Sequence, residues 1–171
     1  MTTETKYDAT LSIEFINELK AESTATRKCL ERIPESLYNW KPHERSMTMG
    51  YLALLVAEIP NWITHMIERS EIDFATFEHF KPKTTADLVS HFDENLKGVL
   101  RALENVSGEQ FMETFYLKNN GIVVFSSSKK DNIGPSINHL VHHRGQLTTY
   151  MRLNDIPVPS IYGPSADDRG F

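Results

Sequence analysis

Three of the chain's seven histidines fall within five residues, in the run Asn138-His139-Leu140-Val141-His142-His143-Arg144-Gly145-Gln146-Leu147. On an α-helix His139 and His143 lie one turn apart and about 40° apart around the axis, so both imidazoles converge on one point. Neutral imidazole suits zinc, nickel, iron and copper, and such a pair supplies two ligands at the ~2.0–2.1 Å that zinc requires. His142 projects elsewhere. A second reading stays open. At about 100° per residue, His139, His143, Gln146 and Tyr150 form one stripe at the border of the apolar face made by Ile133, Ile137, Leu140, Leu147 and Met151. A border position equally suits histidines that cap a helix seam or face water.

Other chemistry is sparse. Cys29 is the only cysteine, so no internal disulfide can form, and its place beside Leu30 and Ile33 in a helical pattern reads as a packed thiol. His43, His79 and His91 have no partner at ligand spacing and read as solvated side chains. No nucleophile elbow or Gly-rich phosphate loop is present. Trp40 and Trp62 read as core or seam aromatics. Arg144 projects near the apolar stripe, which demands an acid such as Glu58 or Asp155, or an outward path for the guanidinium. Gly145, inside the same helix, implies close approach of another segment, because glycine there costs about 0.8–1 kcal/mol relative to alanine.

These residues must be held by helices. Four segments show the 3.6-residue apolar period. The first runs from about Thr10 to Ile33, with Leu11, Phe15, Leu19, Leu30 and Ile33 on one face and Pro34 as its stop. The second starts near Thr48 and carries Leu52, Leu55, Val56, Ile59, Ile63 and Met66, with Pro60 removing one backbone donor and bending it. The third begins at the cap candidates Thr84 and Thr85 and presents Leu88, Val89, Phe92, Leu96, Val99 and Leu103. The fourth spans Ile133 to Leu153. Between the third and fourth, two β-rich runs from Phe111 to Phe125 flank Asn120-Gly121, which predicts a short hairpin or ordered loop. After Leu153, Pro157, Pro159, Gly163 and Pro164 exclude regular structure, leaving an extended C-terminal tail. The expected fold is all-α, a four-helix bundle formed as a single domain by residues 1–171.

Composition narrows the partners. With 171 residues, 40% hydrophobic and 24% charged, the chain can build one core. A net charge of −5 with interspersed signs provides no basic surface for a phosphate backbone, so no nucleic acid is expected. No apolar run reaches membrane-span length and the polar N-terminus lacks a signal-peptide layout, so we expect no membrane contact and a cytoplasmic location.

The chain resembles the DinB/YfiT-like family over nearly its whole length. The carrying residues are Trp40-Lys41-Pro42, Ser46-Met47-Thr48-Met49-Gly50, Ala57-Glu58-Ile59-Pro60-Asn61-Trp62, the histidine run already quoted, Arg152-Leu153-Asn154-Asp155 and Tyr162-Gly163-Pro164-Ser165-Ala166-Asp167. The resemblance implies a bundle of up-down-down-up topology, a homodimer, and a divalent metal on three histidines serving thiol chemistry. Two would be His139 and His143. The third family position falls on Leu55, which donates nothing, and losing a first ligand should weaken metal binding by at least the ~10–100-fold typical of outer-shell changes. Tyr51 and Glu58 are the nearest polar groups on that face. His65, about 15 Å along the helix from Leu55, is too far for the same ion. The expectation is therefore a degenerate site with no tightly bound cofactor, at most a weakly held zinc or nickel ion. Its cleft, with Leu55, Tyr51, Glu58 and His142 as candidate lining, would take a small molecule or partner. The alternative is a divalent-metal-dependent thiol transferase or hydrolase in which Glu58, Tyr51 or water completes the coordination.

Overall fold

The computed structural model describes residues 3–170, with side chains from Thr10 onward. Four long helices dominate it: α1 (Thr3–Leu30), α2 (Met49–Arg69), α3 (Thr85–Asn105) and α5 (Lys129–Leu153). A 3-10 turn (Glu35–Leu37), a short helix, α4 (Gly108–Met112), and three strands, β1 (Glu71–Asp73), β2 (Thr114–Asn119) and β3 (Ile122–Ser128), complete the elements of the described residues. α2 packs against α3 and α5, and α1 against the same two from the other side.

Local chemistry sets the helix ends. Thr48 caps α2 by accepting the Tyr51 N–H, and Thr84 with Asp87 forms a reciprocal capping box at α3. α1 ends three residues before the expected Ile33. Residues preceding proline avoid helical ψ, and Arg32 and Ile33 donate instead to Cys29 and Leu30 in tightened i→i+3 bonds before Pro34. α5 starts at Lys129 rather than Ile133, because Ser128, the last residue of β3, serves directly as its N-cap. Pro60 leaves α2 continuous. Near it, the amide of Asn95 on α3 donates to the Ala57 carbonyl at 2.9 Å.

The all-α expectation is modified by a small sheet in the order β1-β2-β3. β2 and β3 form the antiparallel hairpin around Asn120-Gly121, whose positive φ values of 51° and 78° match a type I′ turn. β1 pairs with β2 in parallel, and Asp73 at its end accepts the backbone N–H groups of Asn120 and Gly121. Phe111 and Met112 lie in α4, not in a strand, held by a Ser107–Gln110 capping box. The tail after Leu153 is irregular, as expected, and stitched down. Asp167 accepts from Arg152 and the Val158 N–H, and Arg32 reaches the Pro157 carbonyl.

The core falls into two apolar clusters. One contains Leu30, Leu52, Val56, Leu88, Phe92, Leu147 and Met151; the other contains Ile16, Leu19, Ile63, Val99, Leu103, Ile133 and Ile137. Between these positions on the four helices lie Thr26, Glu58, Asn95, His143 and Arg144, a belt of polar side chains at mid-height. Four of them, Thr26, Glu58, His143 and Arg144, are buried. Buried polar groups persist only where partnered, so the belt is where specific geometry is to be sought.

Candidate functional site

His139 and His143 face each other on α5 with ring centroids 4.5 Å apart. His143 is 8% exposed, whereas His139 opens to solvent. The Gln146 amide oxygen lies 2.9 Å from His143 Nδ1. That oxygen only accepts, so His143 Nδ1 donates in this contact. Desolvation first, then the neighbouring His143 and His142, hold the His139 imidazole below its ordinary pKa. His142 is exposed, with its ring 5.3 Å from His143.

Across the seam, the Trp62 ring on α2 meets His139 at 5.8 Å. Its indole Nε1 is buried and has no hydrogen-bond partner. The rest of the Trp62 ring packs on the small apolar cluster of Met66, Ile72 and Phe115, which makes it a seam aromatic. Phe77, on the loop after β1, closes edge-on against Trp62 at 6.3 Å and against His79 at 5.2 Å.

Glu58 and Tyr51 sit in a different cluster from the histidine pair. Glu58 is 2% exposed, and its carboxylate accepts the Phe80 N–H at 2.7 Å and lies 2.6 Å from His79 Nδ1. His91 Nε2 on α3 stands 3.7 Å away, an electrostatic neighbour beyond hydrogen-bond range. Burial alone raises the Glu58 pKa, but the two imidazoles and the backbone N–H outweigh it and keep the carboxyl below its ordinary value. The Tyr51 ring packs against His79 at 6.1 Å. His79 and His91 are therefore not the solvated histidines their spacing suggested. His91 also stacks on Phe80 at 4.2 Å. Sequence reasoning missed this cluster because Glu58, His79 and His91 lie on three separate elements.

Arg144 pairs with neither Glu58 nor Asp155. Its guanidinium, 1% exposed, meets the Glu22 carboxylate at 2.5 Å, donates to Thr26 Oγ1 at 3.0 Å and to the Tyr162 hydroxyl at 2.8 Å. It ties α1 and the tail to α5. A Cβ added at Gly145 meets nothing within 4 Å, so no segment approaches that glycine closely. Leu55 is 6% exposed, and Cys29 is fully buried, its thiol pushed up to about 11 by desolvation.

A family model for the DinB family matches residues 1–169. The chain belongs to the DinB family. Two solved DinB-like proteins share its fold. YjoA of Bacillus subtilis is 18% identical, with a TM-score of 0.65, over 84% of this chain and 95% of its own. A DinB-like protein of Bacillus cereus ATCC 10987 is 20% identical, with a TM-score of 0.66, over 86% of this chain and 95% of its own. Among curated proteins none matches this chain. No helix of the described residues is long and apolar enough to cross a membrane.

The metal implied by the family resemblance can be tested against the donors present. His139 and His143 offer two imidazoles. Leu55 offers nothing, and Glu58 is engaged by His79 and Phe80. Among the described residues, no group of three or more His, Cys, Asp or Glu side chains is arranged to hold an ion. The residues do not fit a three-ligand protein site.

Proposed function

We propose that this DinB protein binds a small molecule in the cleft between α2 and α5, with Leu55 standing where a third metal-ligating histidine would be. The observation that carries the reading is the unpartnered, buried Trp62 N–H beside the His139–His143 pair. A buried donor without an acceptor costs about 1–3 kcal/mol, and a ligand acceptor placed there recovers it. With Nδ1 donating to Gln146, a neutral His143 presents Nε2 as the complementary acceptor. The fitting ligand is a small neutral molecule with adjacent hydrogen-bond donor and acceptor groups. The helices are read as an up-down-down-up bundle. From Ile16 to Leu30 and from Ile133 to Met151 the chain passes from the second apolar cluster to the first, and α2 and α3 run the opposite way.

A second reading, a divalent-metal enzyme, draws on the His143–Gln146 contact, since a ligating imidazole is ordinarily oriented through its other nitrogen. In that case a zinc or nickel ion would rest on two imidazoles with water or an exogenous ligand completing the sphere. Plasma mass spectrometry on untagged protein dialysed against one equivalent of zinc or nickel, with a His143→Ala control, separates the two. The small-molecule reading expects no stoichiometric ion in either sample, and expects Leu55→His to acquire one. A stoichiometric ion in the wild type, lost in His143→Ala, overturns it and favours the metal enzyme.

A further inference from the structure

A cavity of about 520 Å³ lies on the other side of Phe77, between the outer stripe of α2 and the β1 segment with the loop that follows it. Asn61, His65 and Arg69, spaced four apart along α2, form one wall. Glu71, Asp73, Phe77 and Glu78 contribute to the other. Its volume lies within the range of ~300–1,000 Å³ typical of small-molecule sites.

The acids facing this space differ in what remains free. Glu71 pairs with Lys118 at 2.6 Å. Asp73 accepts three backbone N–H groups, from Ala75, Asn120 and Gly121 at 3.0, 3.0 and 2.7 Å, which hold its carboxyl below its ordinary pKa. Glu71 is ion-paired and Asp73 is held by three N–H groups, which leaves Glu78 as the lining acid without a partner among the described residues. Among the described residues, the side chains of Arg69, Glu78 and Asn61 have no hydrogen-bond or ion-pair partner. The His65 ring rests on Phe77 at 5.7 Å, and burial first, then Arg69, favour its neutral form.

The uncommitted groups are thus one cation, one anion and an amide, set beside the packed rings of His65 and Phe77. A simple anion would satisfy Arg69 but face Glu78, and a simple cation would do the reverse. A zwitterion satisfies both. We propose that this cavity binds a free α-amino acid with an apolar or aromatic side chain: its carboxylate on Arg69, its ammonium on Glu78, its side chain against Phe77. This site is separate from the cleft at His139, because Phe77 and Trp62 stand between them.

Titration of the full chain by NMR with L-phenylalanine, 3-phenylpropionate, phenethylamine and inorganic phosphate tests it. L-phenylalanine should saturate, shifting the amides of Asn61, His65 and Phe77, and removal of either charged group from the ligand should weaken binding about tenfold. Arg69→Gln should weaken L-phenylalanine and 3-phenylpropionate about tenfold while sparing phenethylamine, and Glu78→Gln should weaken L-phenylalanine and phenethylamine while sparing 3-phenylpropionate. Both residues are exposed, so neither variant threatens the fold. No saturation by L-phenylalanine, equal affinity for the three aromatic probes, indifference to both variants, or phosphate competing as the tighter ligand would each overturn the proposal.

Discussion

Replacing Glu58 by glutamine should loosen the loop that covers α2, and the size of the effect follows from the geometry. The carboxylate takes two charge-assisted contacts, the Phe80 N–H at 2.7 Å and His79 at 2.6 Å, inside a site that is 2% exposed. Glutamine keeps one acceptor oxygen and turns an NH2 group toward the other partner. Hydrogen bonds to charged groups contribute about 1.5–3 kcal/mol and neutral ones about 0.5–1.5, so weakening one and losing the other amounts to roughly 3 kcal/mol at pH 7. For a chain of this size that lowers Tm by about 6–12 °C. The pH dependence has a definite sign. The folded carboxyl lies below its ordinary value of 4.5, so its charge stabilises the fold fully above that value, and the contribution is lost as pH falls through the folded pKa. The gap between wild type and Glu58→Gln should therefore be widest at pH 7 and close in strong acid. Urea unfolding at pH 7 and at progressively lower pH measures the gap, and hydrogen exchange at the Phe80 amide localises it. A difference within about 0.5 kcal/mol at pH 7, the range of ordinary surface substitutions, would refute the assignment. Unchanged protection of the Phe80 amide would refute it as well.

Other substitutions test the remaining contacts. Arg144→Met should destabilise by about 2–4 kcal/mol, since Glu22 would keep a partly buried charge, and should release the tail to proteolysis near Tyr162; a loss under about 1 kcal/mol in urea unfolding would show that the pair is dispensable. Gly145→Ala should stabilise by about 0.8–1 kcal/mol, because the added methyl meets open space, and calorimetry showing a lower Tm would reveal a neighbour the structure lacks. Cys29, with its thiol raised to about 11, should resist a water-soluble aromatic disulfide at pH 8 until urea unfolds the chain; rapid reaction in the native state would mean that the site opens locally.

Most of the helical frame was readable because its signals are local. Thr48, Thr84 and Asp87 announce helix starts within four residues of themselves, and the apolar stripes report burial at a fixed period. The hairpin followed from Asn120-Gly121 for the same reason. The Ser107–Gln110 box that starts α4 is equally local, but the β-rich residues behind it carry a competing strand signal. β1 had no such signal. Its three residues become a strand only by pairing with Tyr116, Leu117 and Lys118, far along the chain, and no pattern within Glu71–Asp73 specifies that partner.

The site divides along the same line. Spacing alone sufficed to bring His139 and His143 together, because one helix carries both. It placed Glu58 on a face of α2 but could not say what would fold over that face. The answer lies 21 and 22 residues on, where His79 and the Phe80 N–H engage the carboxylate. Helical projection assigns a buried acid a direction, whereas its partner is chosen by topology. Arg144 shows the same limit from the other side. The apolar stripe demanded an acid for it, and two plausible acids, Glu58 and Asp155, lie nearer in sequence. Glu22, 122 positions away, took the role because α1 packs against α5 and brings Thr26 and the Glu22 carboxylate to the guanidinium together. Desolvating an arginine to 1% exposure requires several acceptors at once, and neither Glu58, already held by His79, nor the tail turn at Asp155 presents such a set. A buried cation therefore seats itself where helix packing assembles acceptors, not where the nearest acid lies in sequence.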